Sequence, residues 1–238
     1  MIEKALKYII GLKNPEIREI GNQTYSDKQL YRVKHNPKAE PIELNTLSSL
    51  VDYLVSDYDK RGKVFVHVVS PLHVNVYSVL DEDREREYMV KVVGMVPGFN
   101  FNQYMDHETF CINLQSKFIN SEERALLLKF AGTVEAGTIA EYGDDGVSQK
   151  ATVKTGITSK QEALVPSPVE LTAYRTFIEV EQPNTQYIFR MKQSKIDGTV
   201  QCALFEADGG AWKIDAMKSI REYLESELEM LNDVVVIS

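Results

Sequence analysis

At 238 residues, with 43% hydrophobic and 26% charged side chains, the chain has the composition of a folded protein long enough to bury its own core. That excludes fibre and disorder and removes the need for a disulfide or metal staple. A formal net charge of −8 repels phosphate backbones and disfavours non-specific nucleic-acid binding.

The charge is unevenly spread. Residues 1–38 carry eight Lys/Arg against four acids, a balance of +4, which leaves −12 for residues 39–238. The two cysteines, Cys111 and Cys202, lie beside apolar residues with no CxxC, and read as buried free thiols in a reducing compartment. Met1-Ile2-Glu3-Lys4 places an acid too early for a secretory leader, and the run Val234–Ile237 is far too short to span a bilayer. The expectation is a cytoplasmic protein without membrane contact.

In chain order, Ile2, Leu6, Ile9 and Ile10 recur at helical spacing and predict a helix over residues 1–12, ended by Gly11 and Pro15. Tyr25 to Lys34 reads as turn and strand. Leu47, Leu50, Val51, Leu54, Val55 and Tyr58 form one apolar stripe and predict a helix over 44–58, capped by Asn45 or Thr46. Three strands follow at 63–70, 73–80 and 87–96, rich in Val, Tyr and Phe and spaced for an antiparallel meander. Asp106 caps a helix over 106–118, and the acids after Ser121 open another that stops near Gly132.

The Gly- and Thr-rich stretch that follows predicts a hairpin, 133–141 with 147–156, turning at Asp144-Asp145-Gly146. Strands resume at 175–181, 186–193 and 199–206. A long amphipathic helix over 214–231 and a terminal strand, Val234–Ile237, close the chain. Strands grouped apart from helices predict an α+β fold of antiparallel meanders with flanking helices. The expectation is one domain over 1–238, in two possible halves at 1–132 and 133–238.

Chemistry-bearing motifs are sparse. GxGxxG, GxxxxGK[ST] and GxSxG are absent, so dinucleotide, P-loop and hydrolase-elbow chemistry have no support. His67 and His73 fall on adjacent predicted strands, but no further Cys or His lies at a zinc spacing. Asp144-Asp145-Gly146 lacks the alternating acids and closing Glu of a calcium loop. No acid stands two residues before Lys192, as a magnesium nuclease strand requires. The expectation is a non-enzyme without cofactor or metal.

Two stretches stand out. Arg175 and Arg190, on neighbouring predicted strands near Glu179 and Glu181, read as a cross-strand ion-pair ladder or as an anion pocket. Asp208, Gly209 and Gly210 lie between a strand and a helix, where the glycines reverse the chain and the helix start offers N–H groups to an anion.

Three blocks carry a resemblance: 144–149 (Asp-Asp-Gly-Val-Ser-Gln), 174–183 (Tyr-Arg-Thr-Phe to Gln-Pro) and 204–212 (Leu-Phe-Glu-Ala-Asp-Gly-Gly-Ala-Trp). With them the chain resembles, from about residue 44 to about residue 230, the YfdQ-like family encoded by phages and prophages. The resemblance implies a phage origin, action in the host cytoplasm and a gene among early accessory functions; it implies no enzyme. The resulting expectation is a non-enzymatic accessory protein acting as a homo-oligomer, a ring or shell, with Val234, Val235, Val236 and Ile237 as the subunit contact. Two alternatives stand beside it. One is a binding module that sequesters a nucleotide signal or inhibits a host defence protein; the other is a nucleic-acid-processing accessory.

Overall fold

The computed structural model describes every residue except 1, 12–14, 22, 29–37, 137, 145–148, 156–158, 165–166 and 195–197, and gives backbone alone at 7, 9, 10, 23, 133–136, 138–144, 149–155 and 159–164. The chain divides into two units, residues 1–39 and 40–238. The first holds α1 (Ile2–Gly11) and an antiparallel hairpin of β1 (Ile17–Ile20) and β2 (Gln23–Ser26). The helix matches its prediction. Gly21, with φ of 65°, makes the turn that pairs Gln23–Ser26 with Ile17–Ile20; of the turn and strand expected over Tyr25–Lys34, residues 29–34 lie outside the described residues.

The second unit begins with β3 (Ile42–Leu44), α2 (Leu47–Ser56), β4 (Val64–Ser70), β5 (His73–Ser78), β6 (Tyr88–Val93), β7 (Met105–Asp106) and α3 (His107–Lys117). It continues through α4 (Glu122–Ala136), β8 (Thr138–Asp144), β9 (Gln149–Thr155), β10 (Ser159–Leu164) and β11 (Val169–Thr172). It ends with β12 (Asn184–Gln193), β13 (Val200–Glu206), α5 (Ala211–Glu227) and β14 (Val234–Ile237). The fold is α+β. No helix among the described residues is long and apolar enough to cross a membrane.

One sheet has the order β14-β4-β5-β6-β3. Its centre is the expected antiparallel meander, flanked on each side by a parallel strand from elsewhere in the chain. Alternation does the sorting: Val64, Val66, Val68, Val74, Val76, Val90 and Val92 all point to one buried face. Leu47, Leu50 and Leu54 of α2 and Ile220 and Leu224 of α5 complete that core. The α2 stripe is narrower than predicted, since Val55 and Tyr58 are exposed. Asp57 ends the helix in the left-handed region and turns the chain away before that stripe closes.

The other mixed core lies under the sheet β11-β12-β13-β7. Tyr187, Phe189 and Met191 alternate inward from β12 against Phe110, Leu114, Leu127 and Phe130 of α3 and α4. Helix α3 is capped by Asp106, whose carboxylate accepts the Thr109 N–H at 2.8 Å. Helix α4 runs past Gly132 to Ala136, so residues 133–136 are helix rather than strand. Strands β8, β9 and β10 form a separate antiparallel sheet, one strand more than predicted.

Two corrections bear on function. Residues 175–181 are not a strand: the chain leaves Ala173 and loops to Asn184, where β12 begins. And β14 is not a lone tail, because it pairs in parallel with β4, placing Val234 opposite Val64 and Ile237 opposite His67. The last strand and α5 therefore build the sheet of the N-terminal meander, and a division at 132/133 does not follow the sheets.

Candidate functional site

The loop 174–183 ties the two cores together, and one buried amide shapes it. The Gln182 side-chain carbonyl accepts the N–H groups of Arg175 (3.0 Å) and Thr176 (3.2 Å). Its NH₂ donates to the carbonyls of Phe177 (2.9 Å) and Val180 (3.3 Å). The loop so held drops Phe177 and Val180 into the first core. There the Phe177 ring lies so close to Gly94 that a Cβ on Gly94 would stand 3.1 Å from it. The Thr176 hydroxyl donates to the Pro71 carbonyl at 2.7 Å. At the tip, one Glu179 oxygen accepts the Leu47 N–H (2.8 Å) and the Ser48 N–H (3.3 Å). This carboxylate sits at the positive end of α2, beside Thr46, which caps the same helix through the Ser49 N–H.

Arg175 stands at the root of this loop and is 6% exposed. Its guanidinium lies 4.4 Å from the Phe101 ring centre and 4.2 Å from that of Trp212, donates to the Tyr187 hydroxyl, and approaches Glu206 at 3.2 Å. That last contact is ionic rather than a directed hydrogen bond, since Nη1 and Nε both lack a hydrogen-bond partner. Glu206 also accepts the Trp212 indole N–H at 3.1 Å. The indole, carboxylate and guanidinium thus fix one another. Burial drives the Tyr187 phenol far above its ordinary pKa, partly offset by the Arg175 charge, so this hydroxyl stays protonated at neutral pH.

Arg190 takes no part in this cluster. It lies opposite Ala203 on β12, three residues along from Tyr187 and so on the other side of the sheet, where its guanidinium donates to the Phe189 carbonyl at 3.1 Å. The expected Arg175/Arg190 ladder with Glu179 and Glu181 does not form. Arg175 takes Glu206 and Glu179 takes a helix end, because the segment carrying them is a loop.

Asp208, Gly209 and Gly210 do make the sharp reversal expected, with both glycines in the left-handed region at φ 65° and 86°. The Asp208 carboxylate accepts the Gly210 N–H at 3.0 Å and the Trp212 N–H at 3.1 Å. The start of α5 is therefore filled by an anion of the chain itself. A phosphate placed there would meet Asp208 and Glu206, and the neighbouring Arg175 guanidinium is already paired with Glu206.

His67 lies opposite Asn75 on the meander, while His73 sits nearer the turn with its Nδ1 3.1 Å from the Ser70 hydroxyl; the two do not form a cross-strand pair. Asp144 ends β8 with its side chain undescribed, and Asp145 lies outside the described residues. Among the described residues no three His, Cys, Asp or Glu side chains gather as metal ligands would. Neither cysteine forms a disulfide. Cys202 is buried and its pKa is pushed up to about 12 by burial, whereas Cys111 is half-buried with its sulfur 3.6 Å from the His107 Nε2.

Sequence reasoning missed Glu206, Phe101, Tyr187 and Gln182. The alternation of β12 against β13 carries part of the signal, since it places Tyr187 opposite Glu206; Phe101 and Gln182 come from irregular chain with no periodicity to read. Comparison with family models, curated proteins and solved structures finds no match to this chain.

Proposed function

We propose that this protein is a non-enzymatic accessory protein of phage or prophage origin that works as a homo-oligomer in the host cytoplasm. The viral assignment is supported by the resemblance carried by the 144–149, 174–183 and 204–212 blocks. Assembly is supported by the C-terminal edge of the first sheet.

Strand β14 is four consecutive β-branched residues without charge, proline or bulge. The Val64 N–H donates to the Asp233 carbonyl at 2.9 Å. In a parallel ladder that turns the backbone groups of Asp233, Val235 and Ile237 toward β4, and those of Val234 and Val236 outward. Natural sheets protect such edges with charges, prolines or bulges, and an unprotected one is a template for another strand. The opposite edge is protected: β3 is three residues long, follows Pro41, and carries Glu43 paired with Lys91 at 2.9 Å. A second copy's β14, antiparallel about a two-fold axis at Val235, sets outward-facing Val234 against outward-facing Val236 and gives the Val236 backbone groups a partner; the Val234 N–H already donates to the Leu231 carbonyl at 3.5 Å. Nucleotide capture by Arg175 and the Asp208–Gly210 turn has less support, because Glu206 already pairs with the Arg175 guanidinium and Asp208 already accepts the N–H groups at the start of α5.

The test is native mass. Val236→Pro removes an outward N–H without touching the bonds to β4, and Val235→Lys adds a charge to a side chain that is 59% exposed. Both variants are expected to fold and to lose the wild-type association. Full native mass in both folded variants would contradict the reading.

A further inference from the structure

The loop between α2 and β4 is built around one side chain. Asp57, Lys60 and Gly62 hold left-handed backbone at φ 44°, 49° and 64°. Two of the three are not glycine, and such conformations are costly unless the surrounding structure holds them. Together they fold the loop over Arg61, whose side chain is only 2% exposed. One Arg61 Nη donates to the Leu54 carbonyl at 2.9 Å, at the C-terminal end of α2 where carbonyls lack helix partners. The other donates to the Gly62 carbonyl at 2.8 Å and to the Asp233 carboxylate at 2.6 Å. Asp57, 3.8 Å from Nε, supplies a second acid.

Asp233 immediately precedes β14 and is held twice. Its carboxylate meets Arg61, and its carbonyl accepts the Val64 N–H at 2.9 Å. That second bond begins the parallel ladder in which Val234 stands opposite Val64. A four-residue strand at the end of its sheet has few bonds of its own, and such edges open locally at low cost. The hold on Asp233 therefore decides where β14 lies and which of its backbone groups face outward.

We propose that Arg61 is the positioning residue of the assembly edge: by closing on Asp233 it holds β14 in the place and register that a second copy meets. The inference rests on the homo-oligomer reading and names the residue that governs that same edge. A guanidinium suits the task because its planar fork fixes the direction of each bond, whereas a lysine ammonium carries equal charge without that geometry.

The experiment is sedimentation velocity together with amide hydrogen exchange on full-length protein. Asp233→Ala removes a carboxylate that is 39% exposed, Arg61→Lys keeps the charge without the fork, and circular dichroism checks that each folds. In both, exchange over β14 is expected to quicken and the concentration of half-association to rise, each by about tenfold or more, as for a lost charge-assisted bond. Exchange over β5 is expected to stay at the wild-type rate. Glu179→Ala, which loosens the other end of α2, is expected to change neither readout; this separates the clamp from a general loss of stability. Should Arg61→Lys not fold, Asp233→Ala decides alone. Wild-type exchange over β14 or full native mass in Asp233→Ala overturns the inference, as does an equal loss of mass in Glu179→Ala. If Asp233→Ala keeps its mass while Val236→Pro dissociates, the homo-oligomer reading survives and this inference does not; a wild type that is monomeric removes both.

Discussion

Arg175 is held by two ring faces, one phenol and one carboxylate. Its removal therefore strands Glu206 and opens a gap between Phe101 and Trp212. Arg175→Ala is expected to cost about 2–4 kcal/mol, from lost cation–π contacts and from the partly buried, uncompensated Glu206. Urea unfolding measures it, and a loss below about 1 kcal/mol, the ordinary value of a surface pair, would contradict the enclosed geometry. Cys202 supplies a pH signature. Its pKa is raised to about 12 in the fold, while in the unfolded chain it ionises near 8.5. Between those values the unfolded state holds fewer protons, so stability falls as pH rises. The slope from this one group approaches about 1.4 kcal/mol per pH unit. Alkaline unfolding of Cys202→Ala should be correspondingly shallower than that of the wild type, and an identical pH dependence would exclude the thiol as a contributor.

Helix ends carry the next level of the account. Glu179 reaches 132 residues back in sequence to the first N–H groups of α2, and Asp208 closes the start of α5 from within its own turn. Glu179→Ala is expected to cost about 1 kcal/mol, and Asp208→Ala about 1–2 kcal/mol. Inorganic phosphate should not restore the melting temperature of Asp208→Ala if the helix start serves as a cap; full rescue by phosphate would favour an anion site instead. The long helices and the β4–β6 meander were legible because ten residues at one period outweigh local noise. The short strands β3, β7 and β11 were not, since two to four residues define no period. The loop 175–181 misled for a physical reason: Arg175, Phe177, Glu179 and Glu181 alternate like a strand, but Gln182 satisfies its backbone with side-chain bonds that a sequence pattern does not reveal.

At the scale of the molecule, the two ends of the chain play unlike parts. The C-terminal strand is locked into its own sheet by β4 and presents only its outer edge. The N-terminal unit is a helix and a hairpin of net positive charge. The terminal run of Val and Ile was legible as a strand, but its partner was not, because parallel pairing joins residues 170 apart in sequence (Val64 with Val234) and leaves no local trace. The candidate site was legible in part: Arg175, Asp208 and both glycines lie where the chain turns, while the residues that define their chemistry come from other elements. The most direct test of assembly is the native mass of the full-length wild type beside Val236→Pro at matched concentration. The account predicts a wild type larger than 27.0 kDa and a folded variant that has lost its two-fold contact; a wild type at the monomer mass, or a folded variant at the full wild-type mass, would contradict it.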